Sequence, residues 1–250
     1  MNKFLTQITG NRRRLVVCAL LGILSGFCLL LVCTQFLLPN GSFLHYRFLL
    51  WNLFLAWIPF GAALLAYERH RRAGDGVLIG ILGLFWLLFF PNAPYIISDF
   101  VHLGKRTYSP DEFQYWHYLV TITSFAWTAL LVGFGSLYLM QTVIRERIGR
   151  KSAWLFTFFS LFMSGFGIYL GRFQRWNSWD VLRKPEALAL DIADRILHPF
   201  AHYETWGITF LFAGLLIFLY VVMYSFLILV KERGSDSGKV EQQLLTTHQG

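Results

Sequence analysis

Apolar residues in this chain run in long uninterrupted stretches separated by short charged clusters. Six stretches carry no charge at all: 15–38, 48–67, 77–97, 118–140, 152–170 and 206–230. At about 1.5 Å of rise per helical residue, each is long enough to cross a hydrocarbon core of roughly 30 Å. The pattern predicts an all-α polytopic membrane protein with six transmembrane helices. A basic segment (1–14) precedes the membrane domain (15–230), and a polar tail (231–250), rich in Gly, Ser and Gln, reads as disordered. A seventh, shorter pattern lies between Pro185 and Pro199. Its Ala189, Ile192, Ala193, Ile196 and Leu197 oppose Asp191, Asp194, Arg195 and His198, which suits a helix lying on the membrane surface or lidding the bundle.

The third stretch is broken. Phe89-Phe90-Pro91-Asn92-Ala93-Pro94-Tyr95 leads into Ser98, Asp99 and His102. Pro91 and Pro94 remove two backbone donors and disfavour helix at the residues before them. Hydrocarbon cannot solvate such a break, so protein or a water-filled cavity must cover it. Asn92 lies about 15 residues from Val77, roughly 22 Å into the core. If Pro94 starts a new helix, Asp99 and His102 share one face at i and i+3. Asn52 lies about one turn inside span two, and each amide otherwise stays unsatisfied, so Asn52 and Asn92 are expected to share a pocket.

Charge sets the orientation. The net charge is +8, and charged residues make up only 14% of the chain, against roughly 25% in soluble domains. With the N-terminus inside, fourteen of the 22 Lys and Arg residues fall in cytoplasmic segments, which favours both termini in the cytoplasm. The basic balance therefore reports topology, and nucleic acid is not expected as a partner. Thr34, Gln35, Asn52, Asn92, Thr121, Thr123, Ser124 and Thr128 all fall in the outer halves of their spans, so the expected pocket opens outward. Cys18, Cys28 and Cys33 share the first span and read as small packing residues. Gly22-x3-Gly26 and Gly167-x3-Gly171 read as sites of close helix approach.

The one long outer loop holds the second cluster. In Gly171-Arg172-Phe173-Gln174-Arg175-Trp176-Asn177-Ser178-Trp179-Asp180, Arg172 and Arg175 fall on one helical face, as do Trp176 and Trp179. Two readings fit. One is an aromatic belt with snorkelling arginines. In the other, the two guanidiniums fork onto a phosphate or onto Asp99, while Tyr95, Trp176, Asn177 and Asp180 complete a head-group site. Asp99 and His102 are the candidates for acid–base chemistry. A weaker metal reading uses His102, His198 and His202, although Pro199 interrupts the helical His198-x3-His202 spacing. The order Ser98-x3-His102, then Asp180, then His198-x3-His202 resembles the zinc-dependent membrane hydrolases of the alkaline ceramidase type, which have seven spans and a second pair inside a helix. No Gly-rich phosphate loop, Gly-x-Ser-x-Gly elbow or His-Glu-x-x-His motif is present, and no cofactor is indicated.

The Phe90–Tyr95 block with Ser98, Asp99 and His102, the Gly171–Asp180 block, and Asn52-Leu53-Phe54-Leu55-Ala56-Trp57-Ile58-Pro59-Phe60 together resemble a bacterial membrane family, domain of unknown function 1361. The likeness covers about 45–230. Ser98 stands where threonine is expected and Gln174 where an apolar residue is expected. The resemblance implies a bacterial inner-membrane protein and supplies no activity. The residues themselves lead to a binding or assembly role at the outer leaflet, with a membrane lipid or another membrane protein as partner. The alternatives are an enzyme acting on a lipid-linked or phosphate-bearing substrate and, behind it, a transporter.

Overall fold

The computed structural model describes residues 2–37, 46–103, 109 and 111–247. Six helical segments among them are long and apolar enough to cross a membrane: Arg14–Cys33, Arg47–Arg71, Gly76–His102, Phe113–Arg147, Arg150–Arg172 and Tyr203–Leu229. The first lies within α1 (Asn2–Cys33), which ends in a 3-10 turn, Thr34–Leu37. Helix α2 spans Arg47–Arg71 and α3 spans Gly76–Phe89. Span three then continues as α4 (Asn92–Tyr95) and a 3-10 segment, Ile96–His102. Spans four and five are α5 (Phe113–Arg147) and α6 (Arg150–Arg172). Two short helices follow, α7 (Asp180–Arg183) and α8 (Pro185–Leu197), before α9 (Tyr203–Thr247). The first outer connection and residues 104–108 and 110 of the second lie outside the described residues. Spans one, three and five end at one face, called distal below, where α7 and α8 also lie.

Helix α5 is the axis of the bundle. Its largest contacts are with α2, and it also meets α1, α4 and α6, while α9 packs on α6. Burial is apolar along most of it, with Ile122, Phe125, Ala129, Val132 and Leu137 enclosed. Two pairs of buried polar groups lie in the opposite half of the bundle: Trp86 Nε1 donates to Ser136 Oγ (3.1 Å) and the Tyr220 hydroxyl to Gln141 Oε1 (2.9 Å). Thr142 and Thr157 donate to backbone carbonyls one turn earlier.

The break in span three is accommodated by glycines on both neighbours. A Cβ on Gly133 of α5 would lie 2.8 Å from Ala93 Cβ, one on Gly167 of α6 2.7 Å from Pro91 Cβ, and one on Gly171 2.9 Å from the Tyr95 ring. Gly167 and Gly171 thus admit the bulky edge of the broken helix. Gly22 and Gly26 behave differently, since a Cβ on either meets nothing within 4 Å. Among the described residues no other helix approaches either glycine that closely, which corrects the expectation of close packing there.

One further expectation changes. Helix α9 remains helical to Thr247, where the sequence suggested a disordered tail beginning at 231, and it does so through Gly234 and Gly238 with no proline in its path. The pattern of α8 left open a helix on the membrane surface or a lid on the bundle. Its buried residues are Leu188 and Arg195, while Leu190, Ile196 and Leu197 are exposed. The edge that meets the bundle thus encloses a partnered arginine beside Leu188.

Candidate functional site at the distal face

The restart of span three sets the first part of the site. Phe90 N–H still reaches Trp86 O (2.7 Å), and Ala93 N–H reaches Phe90 O (3.1 Å), a tight i→i+3 bond. Two further carbonyls at the broken end are met by side chains. Asn92 Nδ2 donates to Phe89 O (2.9 Å), and Ser178 Oγ donates to Leu88 O (3.3 Å) while accepting from Asn92 Nδ2 (2.9 Å). The loop after α6 therefore folds back beneath the break, and Trp179 packs edge-on to Trp51 with ring centroids 6.1 Å apart.

Beyond Tyr95 the chain continues as a 3-10 helix, whose three-residue turns eclipse positions i and i+3. This places Asp99 and His102 together, with Asp99 Oδ1 3.9 Å from His102 Nε2. Asp99 is 1% exposed. Its Oδ2 accepts from Asn52 Nδ2 of α2 (2.9 Å), and its Oδ1 accepts from Arg172 Nη2 at the end of α6. Arg172 also donates from Nε and Nη2 to Ser98 Oγ (2.9 and 2.7 Å), while Ser98 donates to Tyr95 O (2.7 Å). The guanidinium carbon lies 4.7 Å from the Tyr95 ring centroid, a cation–π contact. Burying the carboxylate is tolerable only because a cation and an amide occupy both of its oxygens. Three spans are joined through this one acidic residue.

The rim of the cluster is His102. Its Nε2 lies 3.4 Å from Arg172 Nη1, and its ring lies 4.8 Å, centroid to centroid, from Phe48. A third of its side chain is exposed. Arginine carries only donors, so Arg172 Nη1 donates to His102 Nε2 and ties the part-exposed imidazole to the guanidinium.

Asn52 and Asn92 do not meet each other. Asn52 serves Asp99 and Asn92 serves the helix break, so each amide is satisfied within its own part of the site. Arg175 also leaves the site. Helix α6 ends at Arg172, Arg175 takes a left-handed backbone (φ 61°) with its side chain exposed, and Asp99 pairs with Arg172. The shared face expected of Arg172 and Arg175 required a helix that the chain does not form there. Trp176 Nε1 donates instead to Asp191 Oδ2 of α8 (2.7 Å). Asn177 and Asp180 serve the loop itself, since Asn177 N–H (2.8 Å) and Nδ2 (3.3 Å) both donate to Asp180 Oδ2.

The histidines of α8 and the following turn are drawn to one carboxylate. His198 Nδ1 and His202 Nε2 lie 2.9 and 2.7 Å from the two oxygens of Asp194, and hydrogen bonds from His202 and then His198 hold that carboxyl below its ordinary range. His102 keeps its own partners on span three and α6. The three histidines of the metal reading are not brought together, and no group of three His, Cys, Asp or Glu among the described residues is placed to hold a metal ion.

Two contributors escaped the sequence reading. Ser178 lay inside a quoted motif, and counting the carbonyls freed at the break points to a hydroxyl donor. Arg195 is the second. It is 5% exposed, pairs with Asp191, and lies 5.8 Å from the Tyr169 ring centroid. Its place in an amphipathic pattern gave no sign that it faced inward.

No curated protein and no solved structure matches the chain. The profile of one family, described as a protein of unknown function (DUF1361), matches residues 51–221, a stretch that contains Asn52, the broken third span, Asp99, Arg172 and α8. The chain belongs to the DUF1361 family of proteins of unknown function.

Proposed function

We propose that the cluster is a binding site for an anionic group at a membrane surface, and that the natural occupant is the phosphate of a lipid head group. On this reading the distal face is the outer one, the membrane is a bacterial inner membrane and both termini are cytoplasmic. One observation supports it above the others. Arg172 Nη1 donates to the part-exposed His102 Nε2 (3.4 Å) in front of a carboxylate that is 1% exposed, so an anionic oxygen that takes the place of His102 as acceptor meets a guanidinium already held in position. A general base must come within hydrogen-bond reach of the proton it removes, directly or through one water. Asp99 accepts from Arg172 and Asn52 instead, so its role here is to position and neutralise Arg172.

Native mass spectrometry of the purified protein tests this reading. Phosphatidylglycerol is expected to remain bound to the wild type and to be lost from Arg172→Gln, with phosphatidylcholine retained weakly by both. Equal retention of phosphatidylglycerol by the two proteins sinks the proposal. A partner membrane protein presenting a phosphate or carboxylate would satisfy the same groups and would appear as a co-purifying chain lost in Arg172→Gln.

A second reading is favoured by a separate observation, the 3.9 Å approach of Asp99 to the part-exposed His102. There His102 acts as general base on a lipid-linked substrate whose phosphate Arg172 holds. Turnover of a lipid-linked phosphate substrate that disappears in His102→Gln while lipid retention survives would establish it over simple binding.

A further inference from the structure

Helix α8 meets the rest of the molecule with its polar edge. Arg195 pairs with Asp191 one turn earlier, Asp191 accepts from Trp176, and the Arg195 carbonyl accepts from Trp206 Nε1 of α9 (3.2 Å). With these groups turned inward, the opposite stripe is apolar and open. Leu190 and Leu197 lie two turns apart on it, beside Ile196. Leu182 precedes the stripe at 84% exposed, and Phe200 follows it at 94%. A protein surface in contact with water rarely leaves so many large apolar side chains contiguous and uncovered.

We infer that this stripe is a lipid-contacting surface, with α8 lying in the interfacial plane of the distal leaflet and Leu190, Ile196, Leu197 and Phe200 among the acyl chains. Its position in the chain sets its depth. It is tethered between the end of α6 and the start of α9, both of them spans that end at this face. Phe210 and Leu211 on the first turns of α9 are likewise exposed. Arg183 and Lys184, both exposed at the start of α8, suit the level where a leaflet carries its phosphates. Glu186 and Asp194, exposed beside the stripe, keep its polar border toward water, and the tether between two span ends favours lipid over a protein partner. The inference uses residues apart from Arg172 and His102 and does not depend on what those two bind.

The full chain in nanodiscs of phosphatidylethanolamine and phosphatidylglycerol provides the test. With Cys18, Cys28 and Cys33 replaced by alanine, Leu190→Cys and Leu197→Cys are each labelled with a nitroxide, and Asp194→Cys serves as the aqueous control. Power saturation then compares collisions with oxygen, which concentrates in acyl chains, and with a water-soluble nickel chelate. Oxygen is expected to dominate several-fold at 190 and 197, and nickel at 194. Nickel dominance at 190 and 197 would place the stripe in water, and low access to both reagents would place it under protein; either result overturns the inference. If the cysteine-free chain does not fold, the wild-type chain carrying benzoylphenylalanine in place of Leu197 is photolysed in the same nanodiscs. A lipid adduct supports the surface proposed here, and a cross-linked dimer or the absence of an adduct refutes it.

Discussion

Ser178 donates its hydroxyl hydrogen to the carbonyl of Leu88, ninety residues earlier in the chain, across 3.3 Å. The same hydroxyl accepts from Asn92, whose amide also meets Phe89 O. The prolines of span three thus free backbone groups that a loop from another span satisfies. Ser178→Ala would leave Leu88 O and one Asn92 proton without partners at membrane depth. A loss of about 1–3 kcal/mol is expected, read as a lower midpoint in thermal unfolding of the purified protein. An unchanged midpoint would mean that the loop does not close the break.

Asp99 and Arg172 are expected to be strongly coupled. Asp99→Asn removes the charge that compensates Arg172 and should destabilise by about 3 kcal/mol. Arg172→Gln strands the carboxylate and should cost a similar amount. The double variant Asp99→Asn/Arg172→Gln should be well short of the sum, because neither stranded charge remains. Additive losses across the cycle would show that the two groups act separately.

Close approach of the broken span to α6 makes Gly167 sensitive and leaves Gly22 tolerant. Gly167→Ala puts a methyl 2.7 Å from Pro91 Cβ, and the ring of Pro91 has little freedom to yield. A cost of about 1–3 kcal/mol is expected. Gly22→Ala adds a methyl to open space and should be neutral or favourable by up to about 1 kcal/mol through helix propensity. Equal effects on the unfolding midpoint would refute the nesting of Pro91 against α6.

Arg175 adopts φ 61°, a region that costs an L-residue roughly 1–2 kcal/mol and costs glycine nothing. Its exposed side chain makes no hydrogen bond or ion pair among the described contacts. Arg175→Gly should therefore hold or raise the unfolding midpoint, and Arg175→Val should lower it, since β-branching is worst tolerated there. Lipid retention should survive in Arg175→Gly. Loss of retention in that variant would return Arg175 to the site.

Much of the architecture was legible because membrane thickness imposes it. Uncharged length alone locates six spans, and the pair Pro91 and Pro94 marks where the third one fails. Asp99 and Arg172 could be matched because both occupy span ends at one face and each needs a counter-charge. The rest depended on local geometry that periodicity does not encode. Arg175 was placed on the face of Arg172 by extending α6 one turn too far. The pattern of α8 set Arg195 on its polar side but did not say which edge meets the bundle, since that depends on Asp191 and Tyr169 lying beside it. Asn52 and Asn92 were paired by need alone, and the structure supplies each with a nearer partner.

The separation of Asp99 and Arg172 in the chain also has a consequence in time. Their 73-residue interval takes roughly 4–15 s to synthesise at about 5–20 residues per second. Throughout that interval Asp99 has Asn52 of the preceding span but not its cation, and the carbonyl of Leu88 lacks Ser178. The final seat of span three exists only once span five and the loop behind it have emerged, so a chain truncated before Arg172 should leave that carboxylate without its counter-charge.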